Sequence, residues 1–148
     1  MPNSRNPVLT MLKADHKTVK AFFAEYQTAT PRKQDDIAQT VIQELEIHAD
    51  LEERLIYPAI RAGIDDDELM NEANEEHHLV HMLIGELKKL KSSDETFQAK
   101  FAVLGELVKH HVKEEEGEMF PRARKAKIDW DELQTKVMAR KEQIMAAA

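Results

Sequence analysis

Residues 48–58 read His48-Ala-Asp-Leu-Glu52-Glu53-Arg-Leu-Ile-Tyr57-Pro58, and residues 111–121 read His111-Val-Lys-Glu-Glu115-Glu116-Gly-Glu-Met-Phe120-Pro121. In both, a His is followed four positions on by a Glu-Glu pair, then by an aromatic residue and a proline. Residues four apart share one face of a helix, so each segment offers an imidazole beside a carboxylate. A second pair of doublets, Asp15-His16 and Glu76-His77, repeats in the same order, each ahead of one of these segments. The chain reads as two helical hairpins related by a pseudo-twofold axis.

Outward from these segments the helix signals are regular. Asn6-Pro7 is an N-cap followed by proline at the first helical position, opening a helix that runs to about Thr28. Thr30-Pro31 repeats the signal and opens a second helix, expected to end near Tyr57 before Pro58, with residues 59–63 as a further turn. Asp65 or Asp66 caps a third helix that ends near Lys91; a fourth spans about Glu95 to Met119 and should stop at Pro121. Asp129 caps a short fifth helix that runs to about Met145. Apolar residues recur at helical spacing, as in Val41, Leu45 and Leu55, or Phe97, Phe101, Leu104 and Val108. No stretch alternates with period two, so no sheet is expected. The fold expected is all-α: an up-down-up-down four-helix bundle over about residues 7–122, with an additional short C-terminal helix at about 130–146. Together these make a single domain of 1–148. The last helix carries Trp130, Leu133, Val137 and Ile144 on one face. That face must cover either the outside of the bundle or a second subunit, the latter making a homodimer.

Composition narrows the class. The 148 residues are 42% hydrophobic, enough for a core. A net charge of −7 argues against general nucleic-acid binding, which needs a basic surface. The absence of Cys excludes disulfides, thiolate zinc sites, iron–sulfur clusters and Cys nucleophiles. No apolar run approaches the roughly 18 residues of a membrane span, and residues 1–5 show no signal-type apolar stretch. A soluble, cytoplasmic protein with no nucleic-acid or membrane partner is expected.

The informative residues are polar ones inside the apolar stripes. His16 falls between Leu12 and Val19; His48 and Glu52 between Leu45 and Leu55; His77 and His81 between Ala73 and Ile84; His111 and Glu115 follow Val108. Any one alone would be an ordinary hydrogen-bonded core His or a surface charge. Seven of them, on all four bundle helices, would be costly to bury without partners, and a metal centre is the usual way to satisfy such a set. Five imidazoles and two carboxylates exceed one tetrahedral zinc. With a bridging oxo or hydroxo, they fill all but one position on two octahedral ions. Imidazole-rich, thiolate-free sites suit iron, with manganese or cobalt also fitting. The repeat selects His111 over His110 and Glu115 over Glu116; His78 and His110 fall outside the set as rim residues.

The set His16, His48-x3-Glu52, His77-x3-His81 and His111-x3-Glu115 resembles the bacterial hemerythrin-like (HHE) domains over about residues 8–122. One departure from the invertebrate oxygen carriers of that family is the last motif, His-x3-Glu where they have His-x4-Asp. The resemblance implies a nonheme diiron centre of two iron ions. In it His77, His81 and His111 hold one iron, His16 and His48 hold the other and leave its position open, and Glu52 and Glu115 bridge. It also implies reversible O2 binding as the function. The alternatives are a redox enzyme acting on peroxide, NO or a small substrate at the same ligands, or iron sensing or storage. His78, Tyr26 and Tyr57 are weak candidates for an acid/base role, and Arg122-Ala-Arg124-Lys125-Ala-Lys127 for a partner surface.

Overall fold

The computed structural model describes residues 6–147; residues 1–5, where no signal-type stretch was found, lie outside them. Asn6 accepts the Leu9 N–H at 3.1 Å and Pro7 fills the first helical position, which starts α1 (Pro7–Thr28). Thr30 and Pro31 start α2 (Pro31–Leu51) by the same device after a two-residue connection. Such a short connection forces the two helices antiparallel. Asp65 turns the chain in the left-handed region (φ 52°), a conformation Asp tolerates. Asp66 then caps α4 (Asp67–Leu87), accepting from the Leu69 N–H. Lys88 to Asp94 lead into α5 (Glu95–Glu114), and α7 (Trp130–Ala147) closes the chain. No strand occurs among the described residues.

The prolines do not end the helices as the sequence suggests. After α2 the chain passes through a π-helical turn (Glu52–Ile56) into α3 (Tyr57–Ile64), and after α5 through a second (Glu115–Met119) into α6 (Phe120–Lys125). In each, the aromatic N–H reaches back five residues, Tyr57 to the Glu52 carbonyl and Phe120 to the Glu115 carbonyl. A proline inside an α-helix lacks the N–H and collides with the carbonyl four residues back. The wider π turn just ahead of Pro58 and Pro121 makes room for the ring, so the helix continues.

Two apolar clusters lie at opposite ends of the bundle. One gathers Leu9, Leu12, Leu51, Ile56, Met70 and Met119; the other Val19, Val41, Leu45, Ile84, Phe101 and Leu104. α1 and α4 run from the first cluster to the second, and α2 and α5 run back, which is the up-down-up-down order. α1 packs on α2 and α5, and α4 on α2 and α5. α7 lies against α1, α2 and the first π turn, burying Leu133 and Val137 in the first cluster. Arg140 clamps it there with two hydrogen bonds to Asp50, at 2.8 and 2.9 Å. This face therefore covers its own bundle, one of the two covers expected for it. No described helix is long and apolar enough to cross a membrane.

Leu133 is 5% exposed and belongs to a helix outside the four-helix core. Leu133→Ala should lower unfolding free energy by about 2–5 kcal/mol and leave metal content unchanged. Urea titration alongside metal analysis checks both halves.

Candidate metal centre

Between the two apolar clusters, all four bundle helices turn a charged or polar side chain inward. His16 comes from α1, His48 from the end of α2, His77 from α4 and His111 from α5; Glu52 and Glu115 open the two π turns. All six are buried. They fall into two imidazole pairs, with Nε2–Nε2 separations of 3.3 Å for His16 and His48 and 3.2 Å for His77 and His111. Glu115 spans the pairs, its Oε1 3.2 Å from His16 Nε2 and its Oε2 3.0 Å from His111 Nε2. Glu52 Oε1 lies 3.3 Å from His48 Nε2 and 3.1 Å from His77 Nε2. Each imidazole pair thus meets the same two carboxylates, and in each group of four the donor atoms lie within 4.8 Å of one another.

The outer nitrogen of every ring is also engaged. His16 Nδ1 lies 2.6 Å from Glu116, His48 Nδ1 3.0 Å from Asp15, His77 Nδ1 2.7 Å from Glu53 and His111 Nδ1 2.5 Å from Glu76. An ionised carboxylate only accepts, so each Nδ1 carries its hydrogen outward and Nε2 faces the centre. The His77 hydrogen bond holds Glu53 below its usual range, and the His111 hydrogen bond does the same for Glu76.

The electrostatics call for positive charge at the centre. Burial alone would push the His48 imidazole down, but Glu52 and Asp15 outweigh it and hold it well above the usual histidine range. His111, likewise buried, is raised to about 10 by its hydrogen bonds to Glu115 and Glu76. Burial would raise Glu52, yet His48 and His77 keep it well below the carboxylate range. Even so, both oxygens of Glu52 and Oε1 of Glu115 are buried with no donor directed at them. Such an orphaned acceptor costs roughly 1–3 kcal/mol, more when charged. The donor set fits two cations, each held by one imidazole pair, with Glu52 and Glu115 shared between them.

Six of the seven residues singled out from sequence come together in this way, and His81 does not. Its side chain is 44% exposed and its Nε2 bonds Glu53 Oε2 at 2.7 Å, on the outer side of His77. Beside His77 and His111 stands the Tyr57 phenol instead. Its oxygen is 3.2 Å from His77 Nε2 and 3.0 Å from His111 Nε2, and it donates to Glu115. Burial and the charges of Glu52 and Glu115 hold this phenol well above its usual range. An uninterrupted α-helix would put Tyr57 about 140° round from Glu52. The π turn brings residues five apart onto one face, which is why α-helical spacing ranks Tyr57 low. The only sequence signal is its place in the repeat opposite Phe120. Phe120 lies near-parallel to His16, with centroids 6.2 Å apart. Among the other candidates, Tyr26 packs on Phe101 in the second cluster, His78 is exposed, and His110 is 62% exposed beside Glu114. Arg122 pairs with Asp66.

Comparison with known proteins places this geometry among relatives. The family model for the hemerythrin HHE cation binding domain matches residues 8–123. A solved structure of a hemerythrin HHE cation binding domain-containing protein from Mycobacterium kansasii is similar, with a TM-score of 0.76 at 27% identity, over 92% of this chain and 85% of that one. The chain is also 28% identical over 114 residues to a protein of Nostoc sp. named DNA nickase. That match takes in 74% of this chain but only 31% of the longer Nostoc protein.

Metal and fold should be coupled, because the unfolded chain has no such site. Saturation at about 100 times Kd contributes about 2.7 kcal/mol per site, which raises Tm by roughly 10 °C for a chain of this size. Circular-dichroism melts with iron, and again after chelation, measure it; equal Tm values at saturating iron would contradict a tight internal site. His111→Ala should lose the metal held with His77 and shrink the shift, whereas His110→Ala should keep both metals and the full shift.

Proposed function

The chain belongs to the hemerythrin HHE cation-binding-domain family, and from that premise we propose that it holds a dinuclear nonheme iron centre that binds O2 reversibly. The observation carrying this reading is the sharing of Glu52 and Glu115 between two imidazole pairs. A donor set of imidazole, carboxylate and phenol without thiolate suits iron. When bound, the two irons supply the electrons that O2 binding draws on.

The rest is the work of the chain's own residues. His16 and His48, with the two shared carboxylates, offer one ion four donors. His77 and His111, with the same carboxylates and Tyr57, offer the other five. The pseudo-twofold is broken at Tyr57 and Phe120, and this difference supports placing the open position on the His16–His48 side. There Phe120 presents a hydrocarbon ring and no donor. The apolar clusters above and below separate the centre from bulk water. A cytoplasmic location and a single domain accord with this role. No DNA-directed activity is proposed: a net charge of −7 lacks the counter-charge that phosphate binding needs.

Iron-loaded protein should contain two irons per chain by elemental analysis. Exposed to O2 after anaerobic reduction, it should show a visible absorption change that reverses when O2 is removed. A folded protein holding one iron would sink the dinuclear reading; an irreversible change with continued peroxide consumption would replace binding by redox catalysis. Tyr57→Phe should lower iron retention, while His81→Ala should keep two irons. The reverse outcome would give His81 the ligand position that the family resemblance implies for it.

A further inference from the structure

Each of the four charged doublets, Asp15-His16, Glu52-Glu53, Glu76-His77 and Glu115-Glu116, gives one member to the centre and turns the other aside. Adjacent helical residues project about 100° apart, so the second member reaches the neighbouring helix rather than its own ligand. Asp15 on α1 takes the Nδ1 of His48 on α2. Glu53, in the turn after α2, takes that of His77 on α4. Glu76 on α4 takes that of His111 on α5. Glu116, in the turn after α5, takes that of His16 on α1 and closes the circuit. The four contacts obey the pseudo-twofold throughout, including the two between residues 100 and 24 apart in sequence.

We propose that Asp15, Glu53, Glu76 and Glu116 are the positioning residues of the metal centre, each fixing the ring orientation and inward Nε2 of an imidazole on the next helix round the bundle. The inference rests on the metal-centre reading above. It accounts for why the acidic residues come as doublets, and why the partner is never the sequence neighbour. A carboxylate on the outer nitrogen holds the ring's tautomer and makes Nε2 a stronger donor. Because the circuit crosses from helix to helix, each carboxylate acts on one metal only: Asp15 and Glu116 on the ion at His48 and His16, Glu53 and Glu76 on the ion at His77 and His111.

The alternative is that these contacts merely staple the helices together. Cobalt(II) binding, read from its visible d–d bands, separates the two roles through double-mutant cycles. Glu116→Ala should weaken cobalt binding by about 10–100-fold and perturb the bands of one ion, and Glu116→Gln, which keeps an acceptor oxygen, should recover part of the loss. In a His16→Ala background, Glu116→Ala should change affinity less than about 2-fold, since its target ring is gone. In a His111→Ala background its full effect should persist at the remaining ion. Glu76→Ala should behave in the opposite way, silent with His111→Ala and effective with His16→Ala. An equal loss in both backgrounds, or unchanged cobalt affinity and bands in the single variants, would overturn the positioning role. If His16→Ala itself leaves two cobalt ions bound at full affinity, the metal-centre reading fails first, and this inference with it.

Discussion

Four imidazoles and two carboxylates share one level of a bundle whose neighbouring levels are Leu, Ile, Val, Met and Phe. Ionised groups in such a place survive only when opposite charge and hydrogen bonds answer them. Here the answer comes in two shells. The outer carboxylates take every Nδ1–H, and the inner carboxylates lie against every Nε2. The surrounding carboxylates favour positive charge at the centre, raising the His48 and His111 imidazoles against their burial. A cation bound there would meet the buried carboxylate oxygens left without a hydrogen-bond partner, those of Glu52 above all.

That constraint organises the surrounding fold. The level must receive one inward group from each long helix, so the helices run antiparallel and the two apolar clusters fall above and below. The π turns sit where Glu52 and Glu115 project inward, and they admit the prolines without ending the helix. They also swing Tyr57 and Phe120 toward the centre. One local device, used twice, thus presents the carboxylate shared by both imidazole pairs, absorbs the proline and places the aromatic residue that makes the two halves unequal.

Much of this was legible in the chain. Caps at Asn6, Thr30 and Asp66 mark three helix starts, and the polar breaks in the apolar stripes single out His16, His48, Glu52, His77, His111 and Glu115. The doublets choose Glu115 over Glu116 as the inward residue, and burial matches that choice. What escaped depends on geometry that a fixed α-helical period does not carry. Pro58 and Pro121 look like stops because the period assumes no π turn ahead of them. Tyr57 looks peripheral for the same reason. His81 has the correct spacing from His77, but Glu53 satisfies it outside the cluster, and spacing alone carries no information about a competing carboxylate on another helix. The face of α7 carried its own apolar pattern but not its target, which the Arg140–Asp50 clamp and the first cluster reveal.

The central claim is that Glu52 and Glu115 lie between two metals. Anomalous diffraction from crystals of the iron-loaded protein, recorded above the iron absorption edge, tests it most directly. Two peaks are expected, one beside His16 and His48 and one beside His77, His111 and Tyr57, with both carboxylates between them. A single peak in the cluster, or iron found only on exposed groups such as His110 and Glu114, would contradict it.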